Sequence, residues 1–592
     1  MNPVTQFLKT APLLFDGAMG SYYFNLLPEP LPRCEYANLE DPDTILSIHK
    51  AYLKAGAKAI KTNSFSLSAI AQEEGIEKAV ALAKAGWQIG KTAIGETNAF
   101  LFADFGPPPV FDSNTLAIYH TLIDSFLEEG ATNFIFETFL NDSLIRELSP
   151  YIRKKCPDAF IIGSFAVLPD GFTTEGLSGT AMVNTLLSEK RLDAAGFNCV
   201  SGPAHLLNRV KELDNNTHPI SIMPNAGYPT VIGERTIYQS NPDYFAKRLL
   251  EMVGLGVKII GGCCGTDPTY IEKTALLLNN SPNTPLFADA KKVQVKPQTP
   301  VEKQRKNKFA EKLLAGEKVI AVELDSPLDS NIEHYMEGAA DLKAMGADII
   351  TIADCPVARS RMDSSIVACK LKRELGIDAL PHLTCRDRNI NATRALLLGL
   401  SAEEVHNVLI VTGDPIPTAE RKEVKSVFNF HARMLIRYIA ELNHSVFRTP
   451  FLIGGALNVN AVNFDAQLRL GEEKAKNGAQ MLLTQPVMTE NAIDNLRRAK
   501  ENLDIKILGG IMPLVSHRNA SFIASEIQGM AVNPQTVDRF LGKDKEEAAQ
   551  IGIDFSMEIA REIKDDIDGF YLVTPFSRTD VICRLMEEMK SL

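Results

Sequence analysis

PDTILSIHKAYLKAGAKAIKTNSF, residues 42–65, carries two periodicities in succession. PDTILSIHKAYLKAG (42–56) places its apolar residues three and four apart, the pattern of an amphipathic helix. AKAIKTNSF (57–65) is then a short β-rich run that closes on polar residues. The same unit recurs around it. PLLFDG (12–17), AFLFADFG (99–106), NFIFETF (133–139), FIIGSFAV (160–167), AAGFNCV (194–200), PISIMPNAG (219–227) and VKIIGGCC (257–264) are further β-rich runs, separated mostly by helical patterns. Apolar strands alternating with helices predict a parallel sheet covered on its outside. Eight such units in about 280 residues match a (β/α)8 barrel.

NNSPNTPLFADAKKVQVKPQTPVEKQRKNK (279–308) breaks the rhythm, with prolines, many Lys and Gln residues and little apolar periodicity. It reads as an extended linker running into a following helix. Beyond it the count starts again: VIAVELDS (319–326), DIITIADC (348–355), ALPHLTC (379–385), NVLIVTGD (407–414), FLIGGAL (451–457), AQMLLTQPV (479–487), IKILGGIMP (505–513) and DGFYLVTPF (568–576). The expected class is therefore α/β: two consecutive (β/α)8 TIM barrels, 1–280 and 309–592, joined by a linker at 281–308. An open doubly wound sheet is the rival, but neither half shows the G-x-G-x-x-G turn that commonly follows its first strand.

A chain of 592 residues exceeds one typical domain, in keeping with two barrels. With 62 basic and 73 acidic residues the net charge is −11, which argues against nucleic acid or an anionic membrane as partner. No apolar run reaches the ~20 residues of a membrane helix, and MNPVTQFLKTAPLLFDG lacks the build of a signal peptide. Nine irregularly spaced cysteines fit reduced thiols better than a disulfide framework. A soluble, cytoplasmic protein is expected, and monomer and homo-oligomer both stay open.

Barrel enzymes keep their chemistry at the carboxyl ends of the strands, which makes a filter for reactive residues. Cys263 and Cys264 close the eighth strand of the first half, and Cys199 closes the sixth. Cys156 precedes the fifth strand and falls on the wrong face, whereas Cys34, after the first strand, passes the filter undecided. Free cysteines are commonly small core residues, but a CC pair between GG and G is hard to explain by packing. A redox dithiol lacks its C-x-x-C spacing. Three thiolates leave a tetrahedral Zn2+ one open position, suited to lowering the pKa of a substrate thiol. Asp16, Asn63 and Glu137 stand at neighbouring strand ends beside the Gly17–Ala18 turn; the turn's backbone N–H groups could serve the carboxylate of an amino-acid thiol, and Glu137 and Asp16 its ammonium. A helix N-cap is the rival role for Asp16.

DGAMG (16–20), TNSF (62–65), FETF (136–139), GFNC (196–199) and GGCCGTDP (261–268) together resemble the homocysteine S-methyltransferase family over about residues 10–280. The resemblance implies a zinc-held homocysteine thiolate that attacks an electrophilic methyl group to give methionine. It implies Cys199, Cys263 and Cys264 as zinc ligands, and Asp16, Gly17, Ala18, Glu137 and Asn63 as homocysteine contacts. Family donors are S-methylmethionine, S-adenosylmethionine, betaine or, through a corrinoid, methyltetrahydrofolate. No D-x-H-x-x-G corrinoid motif is present, which puts direct transfer from a sulfonium ahead of 5-methyltetrahydrofolate.

In the second half the strand-end residues are Glu323 in VELDSP (322–327), His382 and Thr384 in PHLTC (381–385), Asp414 in TGDP (412–415) and Gln485 in TQP (484–486). All can hydrogen-bond a heterocycle, and Cys355, Cys369, Cys385 and Cys583 are too scattered for a metal. With GIMP (510–513) and YLVTPF (571–576), these motifs resemble the methylenetetrahydrofolate reductase family. The resemblance implies FAD, NAD(P)H as hydride donor, and reduction of 5,10-methylenetetrahydrofolate to 5-methyltetrahydrofolate. It implies Glu323 as the ring-opening acid, Asp414 near flavin and folate, His382, Thr384 and Lys474 as FAD contacts, and Gln485 as a pterin contact. GALNVNA (455–461) departs from the family pattern in lacking an aromatic and a histidine. The expected protein is bifunctional, with small-molecule partners only. The alternative is one catalytic barrel with a regulatory or ligand-binding companion.

Overall fold

The structure, a computed structural model, describes residues 2–592 apart from 96, 214–216, 228, 233–234, 239–240, 281–306, 417–423 and 527–529. The expected linker at 281–308 thus lies outside the described residues except for its last two. The chain divides into two compact units, residues 1–300 and 301–592.

In the first unit eight parallel strands follow one another: β1 Leu13–Leu14, β2 Ala59–Lys61, β3 Phe100–Phe105, β4 Asn133–Phe139, β5 Phe160–Phe165, β6 Ala194–Asn198, β7 Ile220–Met223 and β8 Ile259–Ile260. From β2 onward each pairs with the next, and β8 pairs with β1. The last gap, between β1 and β2, is closed by a bridge from Phe15 to Ala59 and by the Asp16 N–H on the Ala59 carbonyl at 3.0 Å. Most strands, though not β4, are shorter than the sequence runs, and several of the polar closing residues lie beyond the ladder at the rim. A pair of short antiparallel strands, Pro229–Ile232 and Arg235–Tyr238, is inserted after β7 and was not anticipated.

The barrel interior is filled by Leu13, Phe15, Phe102, Ile135, Phe160, Ile162, Met223 and Ile259. Val4 and Leu8, from the short helix Pro3–Phe7 and its end, complete the same cluster. Burying each such side chain contributes about 1.5–3 kcal/mol. The amide of Asn2 anchors that helix, donating to Asn133 Oδ1 at 3.1 Å and to the Asp158 carbonyl at 3.0 Å.

The second unit repeats the plan as a closed parallel barrel: β9 Val319–Glu323, β10 Ile349–Ile352, β11 Asp378–Thr384, β12 Asn407–Val411, β13 Leu452–Leu457, β14 Met481–Pro486, β15 Lys506–Ile511 and β16 Gly569–Val573. Here too a short helix, Lys308–Leu314, packs Phe309, Ala310 and Leu313 into the interior cluster. Asn307 caps it, accepting the Ala310 N–H at 3.2 Å, and donates to Asn407 Oδ1 at 2.8 Å. Among the described residues, no helix is long and apolar enough to cross a membrane.

Candidate active sites

The carboxyl ends of β1–β4, β6 and β8 surround a cavity of about 420 Å3, lined among others by Asp16, Ala18, Lys61, Asn63, Asp104, Glu137, Cys199, Cys263 and Cys264. The ligating atoms of the three cysteines all lie within 4.8 Å of one another, and the sulfurs of Cys199 and Cys264 are 3.7 Å apart. A tetrahedral zinc with bonds of ~2.3 Å has S···S edges of roughly 3.8 Å, so this trio could hold one with little rearrangement. For Cys199 the hydrogen bond with Cys263 lowers the thiol pKa, but contact with Cys264 and burial lift it to about 12. Crowded, buried thiols of this kind keep their protons until a cation takes their place.

Backbone hydrogen bonds fix the cysteines. Gly262 N–H donates to the Asp16 carbonyl at 3.0 Å, Cys263 N–H to Pro224 at 2.9 Å, and Cys199 N–H to Met223 at 3.1 Å. Thr266 knits this run to the DGAMG turn: its hydroxyl donates to the Cys263 carbonyl at 2.7 Å and accepts the Ala18 N–H at 3.2 Å. A Cβ at Gly17 would lie 2.6 Å from Thr266 Oγ1 and one at Gly262 only 2.3 Å, so both positions exclude a side chain. The Ala18 amide, expected to face a substrate carboxylate, is thereby already engaged.

Glu137 is turned into the cavity by an irregularity of β4. The register shifts between Phe136 and Phe139, and Thr138 takes a left-handed φ of 68°. Such a conformation in a β-branched residue costs about 1–3 kcal/mol. Asn198 offsets that cost: its Oδ1 accepts the Thr138 N–H at 2.8 Å, and its amide donates to Thr138 Oγ1 at 2.8 Å and to Glu137 Oε2 at 3.4 Å. Glu137 Oε2 also forms a buried ion pair with Lys61 at 2.9 Å. Burial alone would depress the Lys61 ammonium, but the Glu137 and Asp16 carboxylates more than restore it. Asp16 accepts the Lys61 N–H at 3.0 Å through Oδ2, while its Oδ1 is buried without a partner. Burial raises its pKa to about 7 against the pull of Lys61. Asn63 is spent internally, donating to the Cys34 carbonyl at 2.8 Å and to Asn38 Oδ1 at 2.9 Å, and accepting from the Cys34 thiol at 3.2 Å.

In the second barrel a cavity of about 210 Å3 is lined by Glu323, Asp354, His382, Thr384, Asp414, Gln485 and Tyr571, with apolar walls from Leu409, Val411, Leu483 and Val573. Burial, reinforced by Asp325, raises the Glu323 carboxyl to about 7 against a hydrogen bond from the Tyr571 hydroxyl. His382 Nε2 is buried without a hydrogen-bond partner and 3.8 Å from Glu323 Oε2, and burial holds its pKa near 4. Thr384 is committed to Asp354 Oδ2 through its N–H and its hydroxyl, both at 3.0 Å. Asp414 Oδ2 accepts the Val357 N–H at 2.7 Å. Lys474 does not line this cavity; it sits on the helix Phe464–Lys476 and donates to the carbonyl of Ala456, which does.

Residues 13–278 match the family model described as homocysteine S-methyltransferase, and residues 308–589 match that of methylenetetrahydrofolate reductase. The chain joins these two family domains. It is similar to methionine synthase of Mycobacterium tuberculosis, 24% identical over 454 residues, covering 67% of this chain and 38% of the relative. It is also 26% identical over 288 residues to methionine synthase of Mycobacterium leprae, covering 44% of this chain and 24% of the relative. The chain thus spans well under half the length of either relative. Among solved structures, it is similar to the metallated homocysteine methyltransferase MmuM of Escherichia coli, with 21% identity and a TM-score of 0.39 over 47% of this chain and 100% of that one.

In the methyltransferase domain the strand-end filter picked out the three cysteines but missed Lys61, Asp104, Asn198 and Thr266. Lys61 and Asp104 close β2 and β3 within AKAIKTNSF and AFLFADFG, where a charged residue inside an apolar run was the available signal. Cys156 ends the helix Ser143–Lys155 ahead of β5, as the filter expected, and Cys34 joins the cavity wall. In the reductase domain Tyr571 and Asp354 were missed; both lie in runs already identified, Asp354 just past the end of β10 but Tyr571 in the middle of β16, where the strand-end filter does not look.

Proposed function

We propose that the chain is a two-site enzyme of methionine and one-carbon metabolism. Residues 1–280 transfer a methyl group to the sulfur of homocysteine, giving methionine. Residues 309–592 reduce 5,10-methylenetetrahydrofolate to 5-methyltetrahydrofolate with NAD(P)H and FAD. The observation that carries the first half is the 3.7 Å separation of Cys199 and Cys264 beside Cys263, which suits a tetrahedral zinc with one position free for a thiol. Such a cation lowers the pKa of a thiol that it binds, so that thiolate is present at neutral pH. The protein's own part is to hold the amino-acid end of the substrate against the acidic wall and to keep bulk water from the sulfur. A cavity of about 420 Å3 admits an amino acid with part of a donor. A sulfonium donor leaves as a neutral thioether and needs no proton. The rival, 5-methyltetrahydrofolate, leaves as an amine that must be protonated.

Glu323 supports the second half. A carboxyl with a pKa of about 7 keeps enough of its proton at neutral pH to give it to the leaving ring nitrogen of the folate. Tyr571 holds that carboxyl in place, and neutral His382 leaves Nε2 available toward the cavity. Apolar Leu409 and Leu483 beside polar His382, Thr384, Asp414 and Gln485 suit a flat heterocycle with polar edges. Bound flavin would supply the hydride chemistry. Lys474 would contribute through the Ala456 carbonyl that it fixes. All nine cysteines are free thiols, which supports a cytoplasmic location.

The deciding assay incubates the protein with homocysteine and either S-methylmethionine or 5-methyltetrahydrofolate, and measures methionine. Folate-dependent NAD(P)H oxidation, FAD and zinc are measured in parallel. Methionine from the sulfonium alone identifies direct transfer. Absence of methionine from both donors sinks the first half, and a colourless protein that takes up no FAD sinks the second.

A further inference from the structure

The cavity of the methyltransferase domain contains a cation of its own. Lys61 closes β2, and its ammonium lies 2.9 Å from Oε2 of Glu137, with both side chains buried. It thus occupies the carboxylate that the family resemblance gives to the substrate. Two cations on one buried carboxylate leave a net charge that the interior solvates poorly. An arriving amino-acid ammonium therefore needs Lys61 to go elsewhere.

Asp104 offers the place. Lys61 is in register with Phe102 on β3, so Asp104 stands two residues further on and faces the same side. A strand spacing of ~4.8 Å and a rise of ~3.3 Å per residue put their α-carbons about 8 Å apart. The flexible four-carbon stem of a lysine spans such a gap. The Asp104 backbone is fixed, its N–H donating to Thr62 Oγ1 at 3.0 Å and its carbonyl accepting from Ser64 Oγ at 2.8 Å. Among the described residues its carboxyl forms no ion pair, and Oδ1 is buried without a hydrogen-bond partner. Asp16 shares an orphaned Oδ1, but its Oδ2 accepts the Lys61 N–H at 3.0 Å, and the resemblance assigns it to the substrate as well. Of the three acids around Lys61, Asp104 is the one left without a task. Burial, with Glu137 nearby and Lys61 opposing, holds its carboxyl well above the usual range, so the empty site keeps a proton there instead of a cation.

We propose that Lys61 is a placeholder, holding Glu137 while the site is empty and crossing to Asp104 when the ammonium of the amino-acid thiol arrives. The proposal rests on the cavity being the homocysteine site. The empty cavity is then spared a Glu137 without a counter-ion, and the loaded one is spared two cations on it. Only the lysine side chain moves, because its N–H stays on Asp16. Asp104 is a positioning residue that acts through Lys61 and does not touch the substrate. A thiol without an amine leaves Lys61 where it is, so the exchange belongs to amino-acid thiols.

Calorimetric titration of the zinc-loaded full-length protein with homocysteine and with 4-sulfanylbutanoate, which lacks only the amine, tests the exchange. Asp104→Asn should weaken homocysteine roughly tenfold or more and 4-sulfanylbutanoate by less than about threefold. In a Lys61→Met background the same Asp104→Asn change should cost homocysteine less than about threefold, because no lysine is left to receive. Lys61→Gln is the alternative background should Lys61→Met not fold. A crystal structure of the wild-type protein with zinc and homocysteine should show Lys61 Nζ on Asp104 and the substrate ammonium on Glu137. Lys61 still on Glu137, or moved to Asp16, overturns the proposal while the homocysteine site stands. The proposal falls in the same way if Asp104→Asn leaves homocysteine binding unchanged, weakens both thiols alike, or acts equally with and without Lys61. Binding of neither thiol overturns the site and the proposal together.

Discussion

The Tyr571 hydroxyl donates a hydrogen bond to Oε2 of Glu323, the same oxygen that lies 3.8 Å from Nε2 of His382. A hydrogen bond to a carboxylate favours its charged form, so Tyr571 restrains the rise that burial imposes on Glu323. Tyr571→Phe should therefore raise the Glu323 pKa above about 7. With Glu323 as the proposed ring-opening acid, folate reduction should fall as pH rises through 7 in wild type. In the variant that descending limb should move to higher pH by about half a unit to one unit. A pH profile of folate-dependent NAD(P)H oxidation reads the shift.

Glu323→Gln keeps the shape and removes the proposed proton donor. Loss of general acid catalysis should slow folate reduction by about 100-fold or more. Reduction of the flavin by NAD(P)H alone, followed at the flavin absorbance in a stopped-flow instrument, should survive.

Cys263→Ala should lose zinc and methyl transfer and leave folate-dependent NAD(P)H oxidation intact. Metal analysis beside the two assays decides it. Simultaneous loss of both activities would mean that the domains do not work independently.

The protein has one tryptophan, Trp87, 5% exposed on a helix of the methyltransferase domain, so its fluorescence reports the unfolding of that domain alone. Lys61→Met leaves Glu137 buried without its counter-ion and should cost about 3–5 kcal/mol by urea titration. Adding Glu137→Gln should recover much of the loss. Additive destabilisation would show that the pair is energetically unimportant.

Gly262→Ala drives a Cβ to within 2.3 Å of Thr266 Oγ1. Overpacking of this kind should cost about 1–3 kcal/mol on the same tryptophan signal. Zinc affinity should fall with it, because Thr266 also fixes the Cys263 carbonyl.

Period and length were enough to place the sixteen barrel strands, since each needs a short apolar run and a polar end. They did not show the antiparallel pair Pro229–Ile232 and Arg235–Tyr238, which lies outside the strand–helix alternation that the reading followed. Cys199 and Cys263 met on paper because both close strands, and that rule carries three-dimensional information. Lys61 with Glu137, and Tyr571 with Glu323, did not, because which rim residues touch depends on side-chain reach across a barrel mouth. The bulge at Thr138, which aims Glu137, was equally silent: left-handed backbone at a threonine follows from Asn198, 60 residues away.

Cys199 and Cys264 stand 65 residues apart in the chain and 3.7 Å apart in space. A cation shared between them is then a cross-link, adding to the backbone hydrogen bonds that tie both ends of the loop to β7 and the residues just after it. Closing a loop of that length removes much of the freedom open to the chain when it loosens. Stripping the metal should accordingly make the 200–262 segment the first part of the domain to yield to a protease, well before the barrel as a whole unfolds.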